Sequence, residues 1–297
     1  MKTSRRVSAA ILSLPLILLT GCLFHLRHLP VPKAPSIVQT VTPQQLVDRL
    51  NQRWAAFDSL DAKVEIQASE LKTAEGIEKD IHEFPAIILV RKPEMLRVYG
   101  QVPVLGTRMF DMTSNGKTFT LWIPSKNKAV EGPAELHKKS ASQLENLRPK
   151  FFYNAMVVSG LEPDEYYTVA ADSETVEDAA KKHLFTVPEY VLTVMRQNPN
   201  PVSHQMALVR VITFHRDDLL PYQQDLYDSD GNLESQVFYG PYQNFGSLKY
   251  PSVITIKLPL ISDQIVLTVE SVKENMKLTD QEFQIKLPEG IQIQRLD

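Results

Sequence analysis

Side chains able to do chemistry gather at few places in this 297-residue chain. Asp228-Ser229-Asp230-Gly231-Asn232 offers oxygen ligands for calcium. An EF-hand loop, however, needs its glycine at position 6 and a bidentate glutamate at position 12. Gly231 falls too early, so the segment reads as a hairpin turn. His204, His215, Asp217 and Asp218 make a second group, on one long strand and its exit. They lack a second ligand pair at the spacing a metal site uses. No serine stands in a nucleophile elbow and no glycine-rich phosphate loop is present. The single cysteine, Cys22, rules out an internal disulfide. These residues call for no enzyme chemistry, no metal and no cofactor.

Two further groups are suited to contact rather than catalysis. Arg91, Lys92 and Arg97 flank Pro93 on neighbouring strand candidates. There they can latch to backbone carbonyls, meet an anionic head group, or lie on a solvated strand face. Gln101-Val102-Pro103-Val104-Leu105-Gly106 joins two strand candidates through an apolar middle, where loops are usually polar. It either folds back beneath the core, which composition favours, or exposes Val104 and Leu105 as a tip for a membrane or acyl chain.

The totals narrow the class. Apolar residues make up 43% and charged residues 23% with a net charge of −3, a globular balance without a basic block for nucleic acid. Twenty prolines against eleven glycines suit many short strands, with proline at edges and in loops. One large or two small domains fit the length.

At the N-terminus, Lys2, Arg5 and Arg6 precede an apolar run from Val7 to Leu19. The run is shorter than the roughly 20 residues of a membrane span and reads as a signal peptide. Leu19-Thr20-Gly21-Cys22 resembles the bacterial lipobox. The resemblance implies cleavage between Gly21 and Cys22 and a lipid on the Cys22 thiol, which becomes the mature N-terminus. Residues 1–21 are then the signal peptide, and 22–41 a lipidated tether stiffened by Pro30, Pro32 and Pro35. His25 and His28 read as part of the solvated tether. Leu23, rather than aspartate, follows the cysteine. By similarity to enterobacterial sorting this favours a periplasm-facing protein on the outer membrane over the inner.

The remaining elements form residues 42–297. Thr42-Pro43-Gln44-Gln45 starts a helix, with Thr as N-cap and Pro at the first turn. Leu46, Leu50, Trp54 and Phe57 give it one apolar stripe, while Arg49, Arg53 and Asp58 face water. Alternation and turn residues predict strands at 62–69, 84–90, 95–99, 107–112 and 117–123, the last two around Asn115-Gly116. A second helix starts near Pro149, with Phe151, Phe152, Ala155 and Met156 for burial. The pattern weakens over 161–201, where Asp172 to Asp178 reads as an acidic loop before a strand at 190–196. Strands follow at 206–215, 223–227, 235–239, 252–258, 265–272 and 283–287. The expectation is a mainly β protein built on a single curved antiparallel sheet, with a few helices.

Several segments, in order, are similar to the LolA/LolB-like lipoprotein-carrier superfamily. They are the opening helix with Leu60-Asp61-Ala62, Val90-Arg91-Lys92-Pro93, the hairpin Ser114 to Trp122, and the closing Phe283 to Ile293. The resemblance covers about 42–125 and 220–297. It implies an incomplete barrel plugged by helices around an apolar cavity for acyl chains. It also implies acylated lipoproteins as cargo, a periplasmic carrier as partner, and no covalent chemistry. In the lipid-anchored branch a proline-leucine-glycine loop exposes a leucine. Pro103-Val104-Leu105-Gly106 is similar with one residue more, which makes Leu105 the counterpart and Val104 its neighbour. In the soluble branch an arginine before proline latches the lid; that position is Lys92 here, with Arg91 one residue earlier. The stretch 160–205 exceeds the compact members. An envelope scaffold or sensor on the same fold is the alternative reading, and a lipid-acting enzyme the third.

Overall fold

The computed structural model describes residues 38–72, 77–135, 148–178, 183–197 and 205–296. Gly21, Cys22, His25, His28 and His204 lie outside them. Two compact units divide the chain, one of Pro35–Glu174 with Val187–Asp297 and one of Met1–Ala34 with Thr175–Thr186. Of the second, only residues 175–178 and 183–186, in strands, are described. Among the described residues no helix is long and apolar enough to cross a membrane.

Helix α1 (Pro43–Ala56) begins as its sequence requires. Thr42 is extended, its hydroxyl accepts from Gln45 N at 3.2 Å, and Gln45 Oε1 accepts from Thr42 N at 2.9 Å. This reciprocal cap satisfies two amides that the first turn cannot pair itself. Leu46, Val47 and Leu50 are buried, each contributing roughly 1.5–3 kcal/mol of apolar transfer. Helix α2 (Pro149–Met156) is apolar on most sides, and Phe151, Phe152, Tyr153, Ala155 and Met156 are buried.

Fourteen strands form one curved sheet that does not close into a barrel. A meander runs through β1 (Ser59–Lys72), β2 (Ile77–Arg91), β3 (Met95–Gln101), β4 (Arg108–Ser114), β5 (Thr118–Ile123) and β6 (Lys128–Pro133). A second comprises β7 (Glu165–Asp178), β8 (His183–Gln197), β9 (Met206–His215), β10 (Pro221–Tyr227) and β11 (Leu233–Tyr239). The short ribbon β12 (Tyr242–Phe245) and β13 (Leu248–Pro251) stands apart from the sheet. Strands β14 (Val253–Leu258) and β15 (Asp263–Glu274) join the two meanders, because β14 pairs with β11 and β15 with β1. The last strand, β16 (Gln292–Arg295), adds in parallel to β6.

Alternate residues of β1 (Leu60, Ala62, Val64, Ile66) turn inward, and α2 packs into the same core. Helix α1 instead covers Tyr190, Leu192 and Val194 of β8 with Ile212 and Phe214 of β9. Each helix thus plugs a different part of the sheet.

Two sequence expectations need correction. Asp172 to Asp178 is strand, not loop, and the 160–205 stretch extends the sheet by β7 and β8. Alternation was weak because β7 is an edge strand with mostly exposed or half-exposed residues. Residues 283–287 are not a ladder strand. Phe283 ends a 3₁₀ turn (Asp280–Phe283) and is buried, and side chains take the carbonyls that a strand would offer to a neighbour. The Asp228 segment is the β10–β11 turn, in which the Asp228 carboxylate accepts from Asp230 N and Asn232 N at 2.9 and 2.8 Å.

An apolar cleft under helix α1

Helix α1 packs on β8 and β9, and residues of that same face, with Trp54, border a partly open cleft of about 270 Å³. This falls just below the usual range of small-molecule pockets, roughly 300–1,000 Å³. Leu46, Leu50 and Trp54 form the roof, and Phe214 and Leu219 face them. Three tyrosines complete the wall: Tyr239 from the end of β11, and Tyr242 and Tyr250 from the β12–β13 ribbon. Burial holds all three phenols above their ordinary pKa. The Tyr250 hydroxyl donates to Met156 O at 2.6 Å, and that of Tyr242 to Pro221 O at 2.7 Å. The buried Tyr239 hydroxyl has no hydrogen-bond partner among the described residues.

Charge is confined to the rim. Arg49 and Arg53 come from the solvent side of α1, Asp218 from the β9–β10 turn and Glu274 from the end of β15. Arg53 reaches Lys249 O at 3.4 Å, and Lys249 meets Asp218 at 3.4 Å. Desolvation raises the pKa of Glu274, with Arg53 opposing the shift. An apolar interior with a mixed-charge rim suits a chain-like apolar ligand whose head stays near water. Among the described residues no group of three or more His, Cys, Asp or Glu side chains is placed to hold a metal ion. His215 stacks on Tyr222 with ring centroids 4.0 Å apart.

Each of the three cations singled out in the sequence donates to a backbone carbonyl. Lys92 Nζ bonds Trp54 O at the end of α1 and lies 4.0 Å from the Trp54 ring centroid. A cation there also meets the negative end of the helix dipole. Arg91 bonds Leu278 O at 2.8 Å, pairs with Asp280 and lies over the Phe283 ring. Arg97 grips Asp111 through two hydrogen bonds of 2.9 and 2.7 Å and donates to Glu282 O at 2.7 Å. Lys92 therefore ties the cleft's roof to the sheet, while Arg91 and Arg97 fasten the C-terminal segment.

The 101–106 loop does not fold beneath the core as composition favours. Val102 N bonds Thr107 O at 2.8 Å and closes the β3–β4 hairpin, so the residues between protrude. Val104 is 106% and Leu105 72% exposed. Val104 also has φ +67°, a left-handed conformation costly for a β-branched residue. This tip lies at the opposite end of β3 from the Lys92–Pro93 turn, so the structure does not join it to the cations. The tyrosine wall was missed in the sequence. Its members come from separate elements, and their convergence leaves no periodic signal.

No protein-family model matches the chain, and comparison with curated proteins finds no match. Solved structures do match. A DUF1329 family protein from Desulfovibrio piger superposes with a TM-score of 0.51 at 14% identity, covering 81% of this chain and 95% of its own. The likeness is one of fold. A LolA superfamily protein from Nitrosomonas europaea gives 0.49 at 16% identity, with coverage of 83% and 99%. A putative outer membrane lipoprotein-sorting protein domain from Vibrio parahaemolyticus gives 0.48 at 11%, with coverage of 80% and 94%.

Proposed function

We propose that this chain is a lipoprotein of the bacterial cell envelope that holds acyl chains in the cleft under α1 and passes them to or from a membrane. The observation that carries the reading is the cleft itself: apolar inside, charged only at its rim, and partly open. Cys22, lipidated after cleavage at Gly21, is the anchor in this reading, and Leu23 favours the outer membrane. An acylated lipoprotein delivered by a periplasmic carrier is the cargo.

Transfer needs no covalent step. Each buried methylene is worth about 0.8 kcal/mol, so a few turn the balance between cleft and bilayer. The cleft accommodates part of one chain, and more requires α1 to lift from its Lys92 tie. The Val104–Leu105 tip enters the bilayer surface; an exposed apolar pair in a strained backbone supports that role.

Native mass spectrometry of the membrane-extracted protein tests the reading. The expected species starts at an acylated Cys22 and carries a non-covalent acyl ligand. An unmodified Cys22 refutes the anchor. An empty protein that also takes up no acyl probe refutes the carrier and leaves an envelope scaffold.

A further inference from the structure

Among the described residues, four charged side chains line the cleft's rim, and three of them are already engaged. Arg53 donates to Lys249 O at 3.4 Å and stands near Glu274, where it opposes the rise that burial gives the carboxyl's pKa. Asp218 accepts from Leu220 N at 2.9 Å and meets Lys249 at 3.4 Å. Arg49 is the exception. It is exposed, borders the cleft and makes no hydrogen bond or ion pair among the described residues. The acid next to it in sequence, Asp48, accepts from Gln44 Nε2 at 2.8 Å and does not line the cleft. Arg49 and Arg53 are one helical turn apart, so both stand on the same side of α1, beside Leu46 and Leu50.

A guanidinium left free at the mouth of an apolar cleft favours an anion held there and does little for a neutral head. The cleft's volume, about 270 Å³, suits part of one chain, which fits a ligand that has only one. We infer that the cleft also binds single-chain amphiphiles with an anionic head, and that Arg49 is the residue that selects the charge. The head is a carboxylate, as in a free fatty acid, or a phosphate, as in a lysophosphatidate. The chain runs along Leu46, Leu50 and Phe214, and the head stays at the rim beside Arg49. The inference rests on the acyl-binding reading above. It adds a ligand class which that reading does not contain, because the chains of an acylated lipoprotein end in neutral linkages.

Trp54 provides the readout, since it lines the cleft and Trp122 is the only other tryptophan. The full chain carrying Trp122→Phe, transferred from detergent to a non-ionic amphipol, is titrated at about pH 8, where a carboxylate is ionised. The probes are dibromostearic acid, its methyl ester and dibromostearoyl lysophosphatidate. All three carry the same quenching chain and differ in the head. At least one of the two anions is expected to half-quench at about a fivefold lower concentration than the ester, what one partly exposed ion pair supplies. Which anion does so identifies the head. Arg49→Gln is expected to bring the anions to the ester's level and leave the ester unchanged. It should also leave Tm within about 1 °C, as for an exposed side chain without partners. Equal affinities of the ester and both anions in the chain with Arg49 overturn the inference without any variant at that position. So does a preference that survives Arg49→Gln, and either result leaves the acyl-binding reading standing, because the ester still quenches. If no probe quenches Trp54, the acyl-binding reading fails and this inference with it.

Discussion

Asp111 is almost fully buried, and Arg97 meets it with two parallel hydrogen bonds while Arg108 stands 3.5 Å away. Arg97→Leu leaves that carboxylate poorly compensated and frees Glu282 O. A loss of about 3 kcal/mol is expected in urea denaturation. Glu274 behaves differently. Burial raises its folded pKa above the unfolded value, about 4.3, so ionisation weighs against the folded state. That penalty is absent below the unfolded value and complete above the folded one. Glu274→Gln should therefore raise Tm at pH 7, with the gain disappearing as pH falls towards about 4. The gain is small, because the group is half-exposed and Arg53 is near. Arg91, Lys92 and Arg97 stood out in the sequence as cations around a proline, but their partners did not. Asp111, Asp280 and the carbonyls of Trp54, Leu278 and Glu282 meet them through sheet register and chain return, which leave no local signal.

Helix α1 was legible almost to the residue, because a capping box and an apolar stripe are both local. Strand β9 was legible to its ends. By contrast β7 was lost, since an edge strand carries little alternation, and the last strand was placed too early. The loop at 101–106 was ambiguous for a related reason: apolar residues signal burial, and only the closed hairpin shows that Val104 and Leu105 have nothing to bury against. Lys92→Ala removes the tie at the end of α1. Hydrogen exchange is expected to speed up about tenfold at Phe57 and in the last turn of α1, with β1 and β2 unchanged. Unchanged protection there would mean that packing alone holds the roof. Leu105→Glu is expected to leave Tm within about 1 °C, as for an exposed substitution, and to weaken transfer to liposomes. A large fall in Tm would instead make the loop part of the core.

At the scale of the whole molecule, an open fourteen-stranded sheet leaves a concave face that its helices only partly fill. The class of fold followed from strands and turns in the sequence, but the cleft did not. It is the space left between α1, the β9–β10 turn and a ribbon outside the main sheet. Joined to the lipobox resemblance, this geometry supports the proposal of a binder fixed at a membrane that receives or hands over. The most direct test is photo-crosslinking of the full chain in membranes with a diazirine fatty-acid ester, followed by peptide mapping. Adducts are expected on α1 (43–56) and on residues 239–251, and to fall when unlabelled ester competes. Adducts that spare both segments, or resist competition, would contradict acyl binding in the cleft under α1.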